Sequence, residues 1–185
     1  MQKPTIAENY HINTEQTEFE NYTFQNSNFT NACLNGFEFV DCNFVSCDFA
    51  NADFGQVTLV RANFINCKLL GVDFSKCSRF NFTVHFEDCL LDYTFFVKNN
   101  LKKTLFKNCS IKEATFAECD LTSAIFSRCK LDLTLFEKNN LQFCDFRSAE
   151  NYKINPTENR IKGAMFSLSG ILGLLDHLQI IIEDF

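Results

Sequence analysis

Residues 37–54, FEFVDCNFVSCDFANADF, place Phe39, Phe44, Phe49 and Phe54 at intervals of five. The interval continues in both directions. Large apolar residues occupy every fifth position from Phe19 to Phe74, twelve in succession, with Leu34, Leu59 and Leu69 standing in for Phe. A second series, displaced by two residues, runs from Phe86 to Phe146 and adds thirteen. Sixteen of these 25 positions are Phe, which accounts for most of the 23 Phe in a chain with no Trp and four Tyr.

A period of five suits neither regular element. Five steps of about 100° rotate successive Phe residues by roughly 140° around a helix, and five steps along a strand put them on opposite faces. The chain must therefore turn a corner in every unit. If the central residue i points inward, strand-like alternation also points i−2 inward and leaves i−1, i+1 and i+2 to solvent. The composition of each position agrees: i−2 is small (Ala32, Cys42, Cys47, Ala52, Ala62, Cys67, Cys109, Ala114), and the outer positions carry Asn, Asp, Glu, Lys and Ser. In the second series Phe alternates with Leu or Ile, so stacking at 20 residues gives uniform columns (Phe86, Phe106, Phe126, Phe146; Leu101, Leu121, Leu141) where stacking at 15 would mix them. Four sides per coil follow. Twenty-five units make a little over six coils, a rod on the order of 30 Å long at about 4.8 Å per layer. Stacking between neighbours stabilises such a rod, and its ends need protection.

The expected fold is all-β, a quadrilateral β-helix with a short C-terminal helix. A lead-in spans 1–16, the coil spans 17–148 with a register break at 75–85, and a capping loop, short helix and tail fill 149–185. At the break Arg79 falls where a central Phe or Leu is due, so a bulge or small loop is expected near Ser78–Thr83, serving either as a twist adjustment or as a partner contact. Beyond Phe146 the pattern loosens through Asn151, Asn155, Pro156 and Asn159, and Ile161 and Phe166 fall back into register. Ser169 can cap a helix whose apolar residues Ile171, Leu174, Leu175 and Leu178 share one face, weakened by Gly170 and Gly173. That face covers either the last coil or a two-fold mate, and Ile180, Ile181 and Ile182 could add an exchanged strand.

At 185 residues the chain has the length of one domain, and 46% hydrophobic content excludes wholesale disorder. The stretch Ile171–Ile182 is too short and too interrupted to span about 30 Å of hydrocarbon. No apolar leader precedes the repeats, so a soluble, cytoplasmic protein with reduced cysteines is expected. Nine of the ten cysteines sit at i−2, where a small apolar side chain suffices, and Cys89, Cys109 and Cys129 should form one column. No CxxC pair or His partner suggests a metal, and no Gly-rich phosphate loop or Ser/His/Asp pattern suggests a cofactor or catalysis. A filled coil leaves no interior pocket, so the expectation is a non-enzymatic protein with no cofactor.

Units such as Ala52-Asp53-Phe54, Ala62-Asn63-Phe64 and Cys119-Asp120-Leu121 resemble the pentapeptide repeat, A(D/N)Lxx with Phe often replacing Leu, over roughly residues 17–148. The resemblance implies a right-handed quadrilateral β-helix. Length, Phe-rich register and the apolar C-terminal segment are similar to the Qnr-like quinolone-resistance subgroup, although several of those proteins carry longer projecting loops that this chain lacks. In that subgroup an acidic rod about as wide as duplex DNA occupies the DNA-binding saddle of type II topoisomerases. The implied function is therefore a DNA mimic that binds DNA gyrase or topoisomerase IV and protects it from quinolones. Relatives dimerise through the C-terminal end, which implies a homodimer through Ile171, Leu174, Leu175 and Leu178.

The net charge of −6 disfavours direct nucleic-acid binding and is concentrated N-terminally, where residues 1–76 hold nine acids against four bases. On a 20-residue coil Glu18 stacks with Glu38 and Asp53 with Asp73, with Glu20, Asp41 and Asp48 nearby. These seven acids are the candidate partner surface. Solubility explains the same charge equally well. The lysines at 98, 102, 103, 107 and 112 interrupt any continuous phosphate-like track. A structural or interaction module with an unrelated partner is the competing reading.

Overall fold

A computed structural model describes residues 5–10, 15–181 and 183. Short parallel strands stack one coil on the next. The first face carries seven: β1 (Thr5–Glu8), β3 (Tyr22–Gln25), β5 (Asn43–Val45), β7 (Ala62–Ile65), β8 (Val84–Glu87), β10 (Leu105–Lys107) and β12 (Ile125–Ser127). The third face carries β9 (Phe95–Val97), β11 (Thr115–Ala117) and β13 (Leu135–Glu137), and the fourth carries β2 (Glu18–Glu20), β4 (Glu38–Val40) and β6 (Thr58–Val60). The second face is joined by single bridges, such as Asn28 to Asp48 and Asp48 to Lys68. Partners lie 20 residues apart, as in Phe24 with Phe44 and Phe44 with Phe64, so each coil has four sides of five residues.

The inward positions are those expected from the pattern. Central Phe and Leu and the small residues at i−2 are buried together as one continuous core. Rings along a column stack nearly parallel, with Phe106 and Phe126 at 4.8 Å and 5° and Phe96 and Phe116 at 4.9 Å and 1°. Rings in adjacent columns meet edge to face, Phe106 and Phe116 at 5.9 Å and 88°. Both arrangements suit the ring quadrupole and contribute about 0.5–1.5 kcal/mol per pair beyond burial.

The corners are made at i+2, which adopts the left-handed region in nearly every unit. In the N-terminal half Asn is the commonest residue at this position, with Asp41, Gly36 and Gly71 among the others. Asn tolerates this conformation through its short polar side chain. In the C-terminal half the corner forces Tyr93 to φ +62°, Leu133 to +57° and Phe143 to +60°.

The register break is compact. Phe74–Lys76 form a 3-10 turn in which the Asp73 carboxylate accepts from the Ser75 backbone N–H, and the interval between stacked residues lengthens to 22, with Phe64 opposite Phe86. Arg79 points to solvent, Phe82 is buried beside Phe74, and Phe80 is 71% exposed.

A tyrosine ring covers each end of the Phe ladder. Tyr10 packs edge-on against Phe19 and Phe24, and Tyr152 lies over Phe146 and Phe166. Phe166 also stacks on Phe146 at 5.6 Å, so the coil resumes after the capping loop.

The C-terminal segment holds the expected short helix, in 3-10 form. It forms 3-10 turns over Ser169–Leu174 and Asp176–Leu178. Ser169 is not the cap; the hydroxyl of Ser167 accepts from the Gly170 N–H at 3.0 Å. At three residues per turn Ile171 eclipses Leu174, and Leu175 is turned about 120° from them. Leu174 packs on the core, whereas Ile171, Leu172 and Leu178 are exposed. Gly170 and Gly173 are needed for close approach: a Cβ at Gly173 would lie 2.0 Å from the Tyr152 carbonyl oxygen, and one at Gly170 would lie 2.0 Å from the Tyr152 hydroxyl. Of the three isoleucines expected to form an exchanged strand, Ile180 and Ile181 are exposed, and Ile182 lies outside the described residues.

Candidate protein-interaction surface

The coil distributes the seven candidate acids over three faces and a corner. Glu18, Glu20 and Glu38 share the fourth face, and β2 pairs with β4 so that Glu18 lies directly beside Glu38. Asp41 is at the corner between the fourth and first faces. Asp48 lies on the second face, and Asp53 and Asp73 lie on the third. Stacked coils supply neutralising partners for several. Arg61, 20 residues on, grips Asp41 through Nε and a terminal nitrogen at 2.5 and 2.6 Å. That hydrogen bond and the guanidinium charge hold the Asp41 carboxyl below the usual carboxylate range. Lys68 approaches Asp48 at 3.5 Å, and Lys76 approaches Asp73 at 3.9 Å.

Among the described residues, no ion pair within 4.0 Å involves Glu18, Glu20, Glu38 or Asp53. Like charges directly opposite in a parallel pair destabilise it. The Glu18–Glu38 step is therefore a local cost that the fold carries without compensation. The lysine cluster winds around one coil, and three of its members are neutralised: Lys98 by Glu118 at 3.6 Å, Lys102 by Asp120 at 3.1 Å, and Lys107 by Glu87. The lysines therefore oppose the acidic surface less than their number suggests.

Two exposed apolar pairs escaped the pattern reading. Tyr93 with Phe95, and Leu133 with Leu135, lie on the third face and its corner in the C-terminal half, separated by the layer of Glu113 and Thr115. The signal was present as large apolar residues at outer positions flanking Phe96 and Phe136. A shallow depression beside the second pair is lined by Leu133, Leu135, Ile154, Gly173 and His177.

The interior offers thiols but little reactivity. All ten cysteines are free, and only Cys33 is exposed. Cys47, Cys67, Cys89, Cys109 and Cys129 form a column that crosses the register break, longer than the expected three. Each Sγ donates to a carbonyl of the preceding coil, as Cys67 does to Phe44 at 3.2 Å and Cys129 to Phe106 at 3.3 Å. Outside this column burial pushes the Cys42 and Cys119 thiols up to about 11 and Cys144 up to about 12, which keeps them protonated. Among the described residues, no group of three or more His, Cys, Asp or Glu could hold a metal ion, and no helix is long and apolar enough to cross a membrane.

Among curated proteins, none matches the sequence. Two family models do. The pentapeptide repeat region model matches residues 37–116, and the eight-copy pentapeptide repeats model matches 100–137 and 114–150. Similar solved structures include trypsin-treated QnrB1, a plasmid-mediated fluoroquinolone resistance protein, at 21% identity and TM-score 0.65, covering 98% of each chain. Full-length QnrB1 is 17% identical with TM-score 0.48, covering 97% of this chain and 99% of that one. HetL, a pentapeptide repeat protein involved in heterocyst differentiation regulation from the cyanobacterium Nostoc sp. strain PCC 7120, is 15% identical with TM-score 0.37, covering 84% and 90%. The matched repeats and the four-sided coil agree: the chain belongs to the pentapeptide repeat family and has a Qnr-like solenoid fold.

Proposed function

We propose that this protein is a non-enzymatic, protein-binding rod that acts in the cytoplasm as a DNA mimic, occupying the DNA-binding surface of a type II topoisomerase, DNA gyrase or topoisomerase IV, and protecting it from quinolones. The observation that carries the reading is the uncompensated pair Glu18 and Glu38 with Glu20 beside them, on one flat face of a narrow rod. Acidic side chains repeating at a strand spacing of about 4.8 Å offer a basic DNA-binding groove a line of negative charge, and their mutual repulsion is relieved when that groove closes on them. The exposed apolar residues Ile171, Leu172 and Leu178 at the C-terminal end support pairing of two copies there, which lengthens the rod. Of the four residues expected at the seam, Ile171 and Leu178 are exposed, while Leu174 is partly buried against the core.

A supercoiling assay with purified gyrase, titrated with the protein in the absence and presence of ciprofloxacin, tests the reading. Inhibition at high protein concentration and recovery of supercoiling under drug are expected. Neither effect over a wide concentration range contradicts it. The exposed apolar pairs, Tyr93 with Phe95 and Leu133 with Leu135, two coils apart, favour a second reading, an interaction module for another protein partner, and truncating those side chains separates the two.

A further inference from the structure

The fourth face is electrically polarised along its length. Its first two layers present Glu18, Glu20 and Glu38 outside any ion pair, with the Arg61 charge near Glu20, and its last layer presents Arg160 and Lys162, both exposed and outside any ion pair among the described residues. Asn140 bridges to Arg160, so the last layer is continuous with the coil. Between the two ends Lys102 is satisfied by Asp120 at 3.1 Å, while Arg79 and the corner residue Lys103 are exposed and outside any ion pair among the described residues, so the middle of the face is mildly basic. Phe80, 71% exposed, projects from the register break between the layers of Leu59 and Leu101, the fourth of eight layers.

We propose that this face binds a second copy of the chain side by side and antiparallel. A two-fold axis near Phe80 brings the acidic end of each copy against the basic end of the other, so both ends are matched at once. A parallel arrangement would instead oppose like charges at both ends. Eight layers at about 4.8 Å and strands of three residues make a face of roughly 400 Å² per copy, about 800 Å² in total, which is below stable specific interfaces and in the range of weak transient encounters. The contact is therefore weak, salt-sensitive and dependent on concentration. It covers Glu18, Glu20 and Glu38, so self-association competes with any other basic partner of those residues.

Sedimentation equilibrium of the full chain at high micromolar concentration is the test. The mass of the unit present in 500 mM NaCl should rise at least twofold as salt is lowered to 25 mM. A C-terminal apolar seam lacks that salt response; where it forms, it sets the mass at high salt, and the side-by-side contact adds to it at low salt, with growth beyond a doubling. Two charge variants sharpen the result. Arg160→Glu with Lys162→Glu makes both ends acidic, and Glu18→Lys with Glu20→Lys makes both ends more basic. Each alone should associate about tenfold more weakly or worse than the parent. An equimolar mixture should regain association at low salt, since every end then meets its opposite. Circular dichroism confirms that both variants fold. A mass independent of salt, or variants that self-associate as well as the parent, would overturn the proposal, as would a mixture that fails to associate.

Discussion

Asn99 donates through Nδ2 to the carbonyl oxygen of Phe74 at 3.0 Å, while its own Oδ1 is buried and accepts nothing. Two coils on, in the same column, Asn139 is fully used: Nδ2 donates to Phe116 at 2.8 Å and Oδ1 accepts from the Cys119 N–H at 2.8 Å. The N–H that should serve Asn99 is that of Cys77, which instead closes the 3-10 turn on Phe74. A cysteine at either position retains one donor to the preceding coil, as Cys119 donates to Phe96. Asn99→Cys should therefore change stability by less than about 1 kcal/mol, and Asn139→Cys should cost about 1–2 kcal/mol. Urea unfolding of both variants checks this, and equal losses would contradict it.

Leu133 occupies a left-handed corner while 68% exposed, so it incurs backbone strain with little burial in return. Leu133→Asn should stabilise the protein by about 1 kcal/mol, a rise in Tm of roughly 2–4 °C by calorimetry. Asn21 and Asn26 already hold equivalent corners at φ +59° and +51°. An unchanged or lower Tm would show that the corner is not strained.

The inward ladder was legible because burial alone selects Phe or Leu at i and a small residue at i−2, and a 20-residue offset aligns the columns. The corners at Tyr93, Leu133 and Phe143 were not, since the stacked coils impose their φ against side-chain preference. The acids were legible as residues but not as a surface. Asp41 and Arg61 share one corner at that same 20-residue offset, and their pairing neutralises a carboxylate counted as free. The C-terminal helix was legible in its place but not in its form: a period of 3.6 puts Ile171, Leu174, Leu175 and Leu178 on one stripe, whereas the 3-10 form turns Leu175 about 120° from the eclipsed pair Ile171 and Leu174.

Gly173 stands against the Tyr152 carbonyl with no space for a side chain. Gly173→Ala should lift the C-terminal segment off the last coil and cost about 1–3 kcal/mol. Proteolysis near residues 168–180 should accelerate in this variant, with the main coil left intact. Cleavage at the parent rate would contradict the packing.

His85 accepts the Leu105 N–H at 3.0 Å through Nδ1, which requires the neutral ring. Burial lowers its pKa below the ordinary value of 6.5. The unfolded chain therefore takes up the proton more readily. Stability is complete above about pH 6.5 and declines as pH falls through the folded-state pKa. Chemical denaturation at pH 7.5 and pH 5 should show this loss, and His85→Asn should flatten it. An unchanged slope in the variant would assign the effect elsewhere.

The central claim concerns the acidic face, and gyrase supercoiling under ciprofloxacin tests it most directly when the parent is compared with a variant carrying Glu18→Lys, Glu20→Lys and Glu38→Lys. The account predicts that the parent restores supercoiling and that the variant loses at least about tenfold in potency, as expected for removal of several charge pairs. Equal protection by both proteins, or none by the parent, would contradict it.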